Sequence, residues 1–170
     1  LLGSPQAPVD EIFNIHQVLE RARSLISAES GGVVITHRDY DPSLPEITGD
    51  RSQVFQAVLN IAKNALEAVT EAKTDAPIIT FSTRAVRRAH PGAKGAQTFL
   101  RLRIEDNGPG IPEDLKDRLF FPMVSGRAQG SGIGLSITQT IVARHNGWIE
   151  VHSEPGHTAF DVILPFGEKR

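Results

Sequence analysis

Asp106 closes a run in which Leu100, Leu102 and Ile104 share its parity, so in a strand its carboxylate points to the same face as three apolar residues. A carboxylate on a core face needs a partner, which a buried arginine, a backbone N–H or a ligand bearing N–H groups can supply. The stretch Asn107-Gly108-Pro109-Gly110 follows at once, and its glycines permit a tight turn and let a flat ring approach the backbone. Taken alone, Asp-x-Gly-x-Gly is first of all a turn with a capping Asp. A second segment, Gly130-Ser131-Gly132-Ile133-Gly134-Leu135, runs into a helical pattern. Successive N–H groups there make an anion site that glycines leave open to phosphates, although a flexible hinge has the same composition. Its spacing is neither that of a dinucleotide fingerprint nor that of a P-loop. A third group, Asn60 and Asn64, lies one turn apart on one helix face, with Gln56, Lys63 and Glu67 on or beside it. A carboxamide oxygen suits Mg²⁺, which completes its shell with water and phosphate; the plainer reading is a solvated polar face.

The elements that must position these groups follow from periodicity. Residues 1–8 hold two prolines, a glycine and a serine and read as a linker remnant, with one domain over 9–170. Ile15, Val18, Leu19, Ala22, Leu25 and Ile26 have helical spacing up to Gly31-Gly32, and Val33 to His37 is a short β-branched strand. Asp50 is placed to cap a long helix whose apolar stripe runs from Val54 to Val69. Ile78–Val86 and Thr98–Asp106 alternate as an antiparallel pair. Pro112-Glu113-Asp114 opens a short helix with Pro near its first position, ended by Phe120-Phe121-Pro122. Residues 122–131 lack periodicity and read as a mobile segment, Gly132–Asn146 as a helix, and Trp148–His152 and Thr158–Leu164 as two closing strands. Helices interleaved with mostly antiparallel strands predict an α+β two-layer sandwich, a mixed sheet packed on three main helices.

Composition narrows the function. At 170 residues, 39% hydrophobic and 22% charged, the chain has the size and balance of one globular domain. A net charge of −2, without basic residues interleaved with aromatics, argues against nucleic acid or a scaffold for it. The absence of cysteine excludes thiolate catalysis and cysteine-ligated zinc. No apolar run approaches ~18 residues, and Leu1-Leu2-Gly3-Ser4-Pro5 is not a secretory signal, so cytoplasmic solubility is the expectation for what reads as a piece of a longer protein.

The order of the three segments, an Asn-bearing helix, then Asp-x-Gly-x-Gly, then Gly-x-Gly-x-Gly, resembles the ATP-binding (Bergerat-type) fold shared by gyrase B, Hsp90, MutL and sensor histidine kinases, over about residues 50–165. Within that family, Leu119–Arg127 and Asn14–Leu19 look like nitrogen-regulation sensor kinases of the NtrB type. The resemblance implies ATP and Mg²⁺ as cofactors. It implies that Asp106 hydrogen-bonds the adenine amino group, with Gly108, Gly110 and Ile111 shaping the pocket and Thr158 assisting through water. Gly130, Gly132, Ile133, Gly134 and Leu135 would cradle the phosphates under a lid at 122–131, and Asn64 would hold Mg²⁺ with Asn60 in support. Two departures from the family pattern are visible. Glu67 stands where many sensor kinases have Lys, which leaves Lys63 or Arg127 to meet the phosphates, and Gly156-His157-Thr158 replaces the commoner Gly-x-Gly-Thr.

Relatives that hydrolyse ATP resemble one another in placing a general-base Glu where this chain has Asn60. An amide lacks the basicity to activate water, so phosphoryl transfer to a separate acceptor is favoured, and a non-catalytic nucleotide-sensing module is the alternative. The implied partners are the kinase's own histidine-bearing dimerisation domain, a response regulator of the NtrC kind and a PII-type regulatory protein. His16 lacks the context of an acceptor and reads as an ordinary surface histidine. The other five histidines show no metal-ligand spacing. Arg84, Arg87, Arg88, His90 and Lys94 read as a solvated strand edge or, failing that, a docking surface, and Trp148 as core packing.

Overall fold

The two kinds of apolar pattern, alternation and helical stripe, settle into two layers. The computed structural model describes residues 9–90, 92–117, 119 and 132–167, the side chains of 132–134 excepted. In chain order the elements are β1 (Glu11–Phe13), α1 (Ile15–Glu29), β2 (Ile35–Asp39), β3 (Ile47–Gly49), α2 (Arg51–Glu71), β4 (Ile78–Arg88), β5 (Gln97–Asp106), α3 (Glu113–Lys116), α4 (Gly132–Arg144), β6 (Trp148–Glu154) and β7 (His157–Pro165). Five strands form one sheet in the order β2-β4-β5-β7-β6, with only β2–β4 parallel. The mixed, mostly antiparallel sheet on three long helices is the expected architecture; α3 is a single turn.

Alternation decides which face is covered. Leu100, Leu102 and Ile104 of β5, flanked by Phe81 of β4 and Phe160, Val162 and Leu164 of β7, form the inner face. The stripes Ile15, Val18, Leu19, Ala22 and Ile26 of α1 and Val54 to Val69 of α2, with Leu135, Ile141 and Val142 of α4, close over it. Asp50 caps α2 through its carboxylate, which accepts from Gln53 N–H at 3.1 Å. Burial alone would push its pKa up, but the N–H groups of Val9 and Gln53 hold it below the ordinary value. Pro112 is the cap residue of α3 rather than its first turn.

The outer face carries an ion pair in which Arg103 spans both oxygens of the fully buried Asp161, at 2.6 and 2.8 Å. β2 pairs with β4 only as far as Ser82, so beyond it β4 has β5 on one side alone. Arg84, Arg87 and Arg88 sit on that free stretch, as a solvated edge requires. Trp148 differs from expectation: it lies half-buried on the outer face, edge-on to Phe99 and His90, and donates from Nε1 to Glu150. His16 differs too. Its ring stacks on Tyr40 at 4.8 Å and Nε2 shares a 2.8 Å hydrogen bond with Thr83 Oγ1, so it braces α1 against β4 instead of lying free on the surface.

The sequence reading also missed β1 and β3. This antiparallel pair tucks Phe13 and Ile47 under the helices, and Ile12 stands opposite Thr48. Gly167 arrives at the same residue: a Cβ there would lie 2.5 Å from Thr48 Oγ1.

A network on α1 makes a pH prediction. The Arg23 guanidinium first, then the Tyr40 hydroxyl and Arg38, hold the Glu20 carboxyl at about 2, against partial burial, where an unfolded glutamate has 4.5. Because the folded pKa is the lower, this stabilisation is complete above 4.5 and is lost as pH falls towards 2. Glu20→Gln should therefore lower the melting temperature at neutral pH and flatten its decline across that window, followed by thermal melts at stepped pH.

Candidate functional site

The inner face of the sheet ends at one carboxylate. Asp106 is 5% exposed and lies between Ile79 of β4 and Thr158 of β7 in the register. One oxygen accepts from Gly108 N–H at 2.8 Å, so the capped turn expected of Asp-x-Gly is present and supplies part of the partner that burial demands.

The turn is pinned at both ends. Asn107 accepts from Ile78 N–H through Oδ1 and donates through Nδ2 to Ala76 O, fastening the turn to the start of β4. Ile111 N–H donates to Ser153 Oγ at 2.8 Å, and that hydroxyl lies 3.2 Å from Thr158 Oγ1. Ser153 thus links β6, β7 and the turn, a role sequence reading missed because Ile111, the partner that defines it, lies 42 residues away. Gly110 has φ +91°, and a Cβ there would meet Glu154 O at 2.6 Å, so both conformation and space require glycine. A Cβ at Gly108 would stand 2.8 Å from Asp106 Oδ1 and 3.5 Å from Val69 of α2.

That contact places the carboxylate beside the last turns of α2. Ala68, also next to Gly108, is one helical turn beyond Asn64. Asn60 and Asn64 are half-buried on one stripe, and Glu67 and Glu71 continue it; all four make polar or electrostatic contacts. Lys63 is exposed. Oxygens from carboxamides and a carboxylate, all hard donors, fit a Mg²⁺ ion that takes its remaining ligands from water and phosphate.

The glycine-led helix reaches the same end. α4 packs on α2. His145, just past the C-terminus of α4, accepts a hydrogen bond from Asp50 N–H at the N-cap of α2. With opposite ends tied, the helices run antiparallel. Thirteen residues back along α4 lead to Gly132 and fourteen along α2 lead to Asn64, each about 20 Å from the tie. The first turn of α4 therefore lies level with Asn64. Leu135 buries its side chain in the core, leaving its N–H as the group that could face a ligand. Gly130, Arg127, the 122–131 segment and the linker at 1–8 lie outside the described residues.

Two other features stand apart from this end. Glu150, His152 and Asp161 bring metal-ligating atoms within 4.8 Å of one another, a cross-strand meeting that spacing along the sequence concealed, but Arg103 already spans both oxygens of Asp161. A groove of about 530 Å³ lies at the opposite end of β5, lined by Asp10, Thr48, Gln97, Arg144 and Phe166 among others, and includes none of the expected site residues.

A buried acid at a glycine turn, an Asn-bearing helix and a glycine-led helix converging on one end of an α+β sandwich define a nucleotide-binding domain. Residues 49–168 match the family of histidine kinase-, DNA gyrase B- and HSP90-like ATPases, and the chain belongs to it. The chain is 48% identical over 166 residues to the sensory histidine kinase/phosphatase NtrB of Vibrio alginolyticus and 41% identical over 167 to that of Rhodobacter capsulatus. These alignments take in 97% and 98% of this chain but 47% of each relative, so the chain spans about half the length of the curated relatives it matches. The fold is also that of the catalytic domain of histidine kinase ThkA, with TM-score 0.76 at 23% identity, covering 94% of this chain and 97% of that one. Full-length ShkA in complex with AMPPNP aligns with TM-score 0.75 at 25% identity, over 94% of this chain and 32% of ShkA. The nitrogen-regulation kinases that the motifs resembled are thus among the relatives found.

Proposed function

We propose that residues 9–170 are the catalytic ATP-binding domain of a cytoplasmic nitrogen-regulation sensor kinase. The domain presents the γ-phosphate of ATP to a histidine on a separate dimerisation domain, from which a response regulator of the NtrC kind receives it; a PII-type protein is the proposed regulator. The observation that carries this reading is the buried carboxylate of Asp106, set beside Thr158 at a turn that only glycines allow.

In this reading Asp106 accepts from the exocyclic amine of adenine. Thr158, oriented by Ser153, holds a water against the ring, and Gly108, Gly110 and Ile111 form the wall. The N–H groups at the start of α4, from Gly132 through Ile133 and Gly134 to Leu135, meet the phosphates together with Gly130, and Lys63 or Arg127 supplies positive charge. Asn64 and Asn60, with Glu67 on the same stripe, hold Mg²⁺. An ion held there would supply positive charge to offset the negative charge that develops during transfer. Transfer forms a bond from the acceptor histidine nitrogen to the γ-phosphorus and breaks the bond to the bridging oxygen, with ADP leaving. Positioning accounts for most of the rate in such a step, so a domain without a nucleophile of its own suffices. Asn60, an amide, cannot draw a proton from water, which disfavours hydrolysis.

With γ-labelled ATP, Mg²⁺ and a histidine-bearing dimerisation domain from an NtrB relative, label is expected on the added domain and not on this chain. Label on His16, or rapid release of inorganic phosphate by the chain alone, would contradict the proposal.

A further inference from the structure

We infer that His145 is a positioning residue for phosphoryl transfer, a clamp that fixes the height of α4 against α2 and with it the separation of the phosphate-binding turn from Asn64. The inference rests on the phosphate and metal assignments proposed above.

Three observations meet at this ring. Nδ1 lies 2.8 Å from Ile141 O, a carbonyl that can only accept, so Nδ1 carries the proton. Nε2 therefore presents its lone pair, and Asp50 N–H donates to it at 3.0 Å. Gly49 completes the seat: a Cβ there would fall 2.6 Å from Cδ2 and 3.0 Å from Nε2, so the backbone closes against the ring with no room for a side chain. Both hydrogen bonds are directional and both anchors are parts of helix ends, Ile141 in the last turn of α4 and Asp50 the N-cap of α2. The helices pack on each other, and the side chains beside the ring are apolar: Val54, Ala57 and Val58 of α2 and Ile141 and Val142 of α4 belong to one buried cluster. Apolar packing resists separation but offers little directional resistance to sliding; the bond from Asp50 N–H, made to a ring that Ile141 O fixes on α4, supplies it. Because each helix is a rigid rod of about 20 Å from clamp to site, a slip at His145 appears undiminished at Gly132 and Asn64. It spares Asp106, Ser153 and Thr158, which stand on strands, and reaches the adenine pocket only where Val69 and Ala68 of α2 approach Gly108.

The test compares two ligands on folded variants of the whole chain, calorimetry giving the affinity of a non-hydrolysable ATP analogue with Mg²⁺ and that of adenosine, which has no phosphate. His145→Phe keeps the ring's bulk but cannot accept from Asp50. Gly49→Ala reaches the same clamp from the opposite side by displacing the ring. Each is expected to weaken the ATP analogue by about tenfold or more, the loss of roughly one hydrogen bond to a charged phosphate, while adenosine stays within about twofold. His145→Gln, whose amide can both donate and accept, should recover much of the loss. Equal weakening of both ligands would mean general loosening and would overturn the clamp, as would no weakening of either. Asn64→Ala run alongside separates the two levels: sensitivity there with indifference at His145 and Gly49 defeats the clamp alone, whereas indifference at Asn64 defeats the site reading and the clamp with it.

Discussion

Asp106→Asn should bind ATP about 10- to 100-fold more weakly than the native chain, and the native chain should prefer ATP to GTP by a comparable factor. The replacement is nearly isosteric, so the effect reports chemistry more than packing. In the proposed site the carboxylate would accept a hydrogen bond from the adenine amine, and a charge-assisted bond in a buried site is worth roughly 1–3 kcal/mol. Asparagine can turn its NH₂ towards that amine and set donor against donor. If it turns its oxygen instead, its NH₂ faces Gly108 N–H, which in the native protein donates to Oδ1 at 2.8 Å, and two donors meet there. Guanine fails for the mirror reason, since its carbonyl stands where adenine carries the amine and the carboxylate then meets an acceptor. Calorimetry with ATP, ADP and GTP on both proteins measures these differences directly. Equal affinity of the native chain for ATP and GTP would remove Asp106 from the adenine site.

The second large effect belongs to Asn64. Asn64→Ala should reduce transfer to a histidine-bearing domain by at least ~100-fold at saturating Mg²⁺, because in the proposed site several kcal/mol of charge stabilisation would pass through an ion that this amide would help to hold. Binding of ATP in the presence of a chelator should be unchanged, since Asp106 and the turn remain. The pair of measurements matters more than either alone: a folding defect lowers both, and a metal-ligand defect lowers only the first. The substitution is well placed for this purpose, because Asn64 is half-buried on a stripe beside the core and alanine is the better helix former there. Transfer within about twofold of the native rate would exclude Asn64 from metal binding, and Glu67 on the same stripe would then be the residue to replace.

What was legible in the sequence follows the range over which each residue acts. The parity of Leu100, Leu102, Ile104 and Asp106 is a local property of one strand, and it placed the carboxylate on the correct face. The cap at Asp50 and the stripes of α1 and α2 are equally local and equally clear. β1 and β3 were hidden because three residues cannot establish a period and their stability comes from pairing with each other across more than thirty residues. Ser153 and His145 were hidden for a related reason. Each is a common polar residue whose role is defined by partners about 40 and 95 residues away. His16 was misjudged because a half-buried histidine and an exposed one look alike until Tyr40 and Thr83 are brought to it. Family resemblance supplied the link between Asn64, Asp106 and the glycines, and the antiparallel run of α2 and α4 supplies the physical reason that the start of α4 lies level with Asn64.

The meeting of β1 and Gly167 at Thr48 has a consequence for how this domain can be handled. Ile12 stands opposite Thr48, and the chain passes Thr48 again at Gly167, after the whole sandwich has been traversed. The path is a nearly closed circuit with its seam at β3, while Asp106 lies at the far end of β5, about 30 Å of extended strand away. A unit whose two ends adjoin can be spliced into a surface loop of a host polypeptide, or have its ends joined and be reopened elsewhere, without prising its layers apart. The seam lies at the opposite end of β5 from Asp106, so such surgery would be made far from that carboxylate and the domain could be moved as one piece.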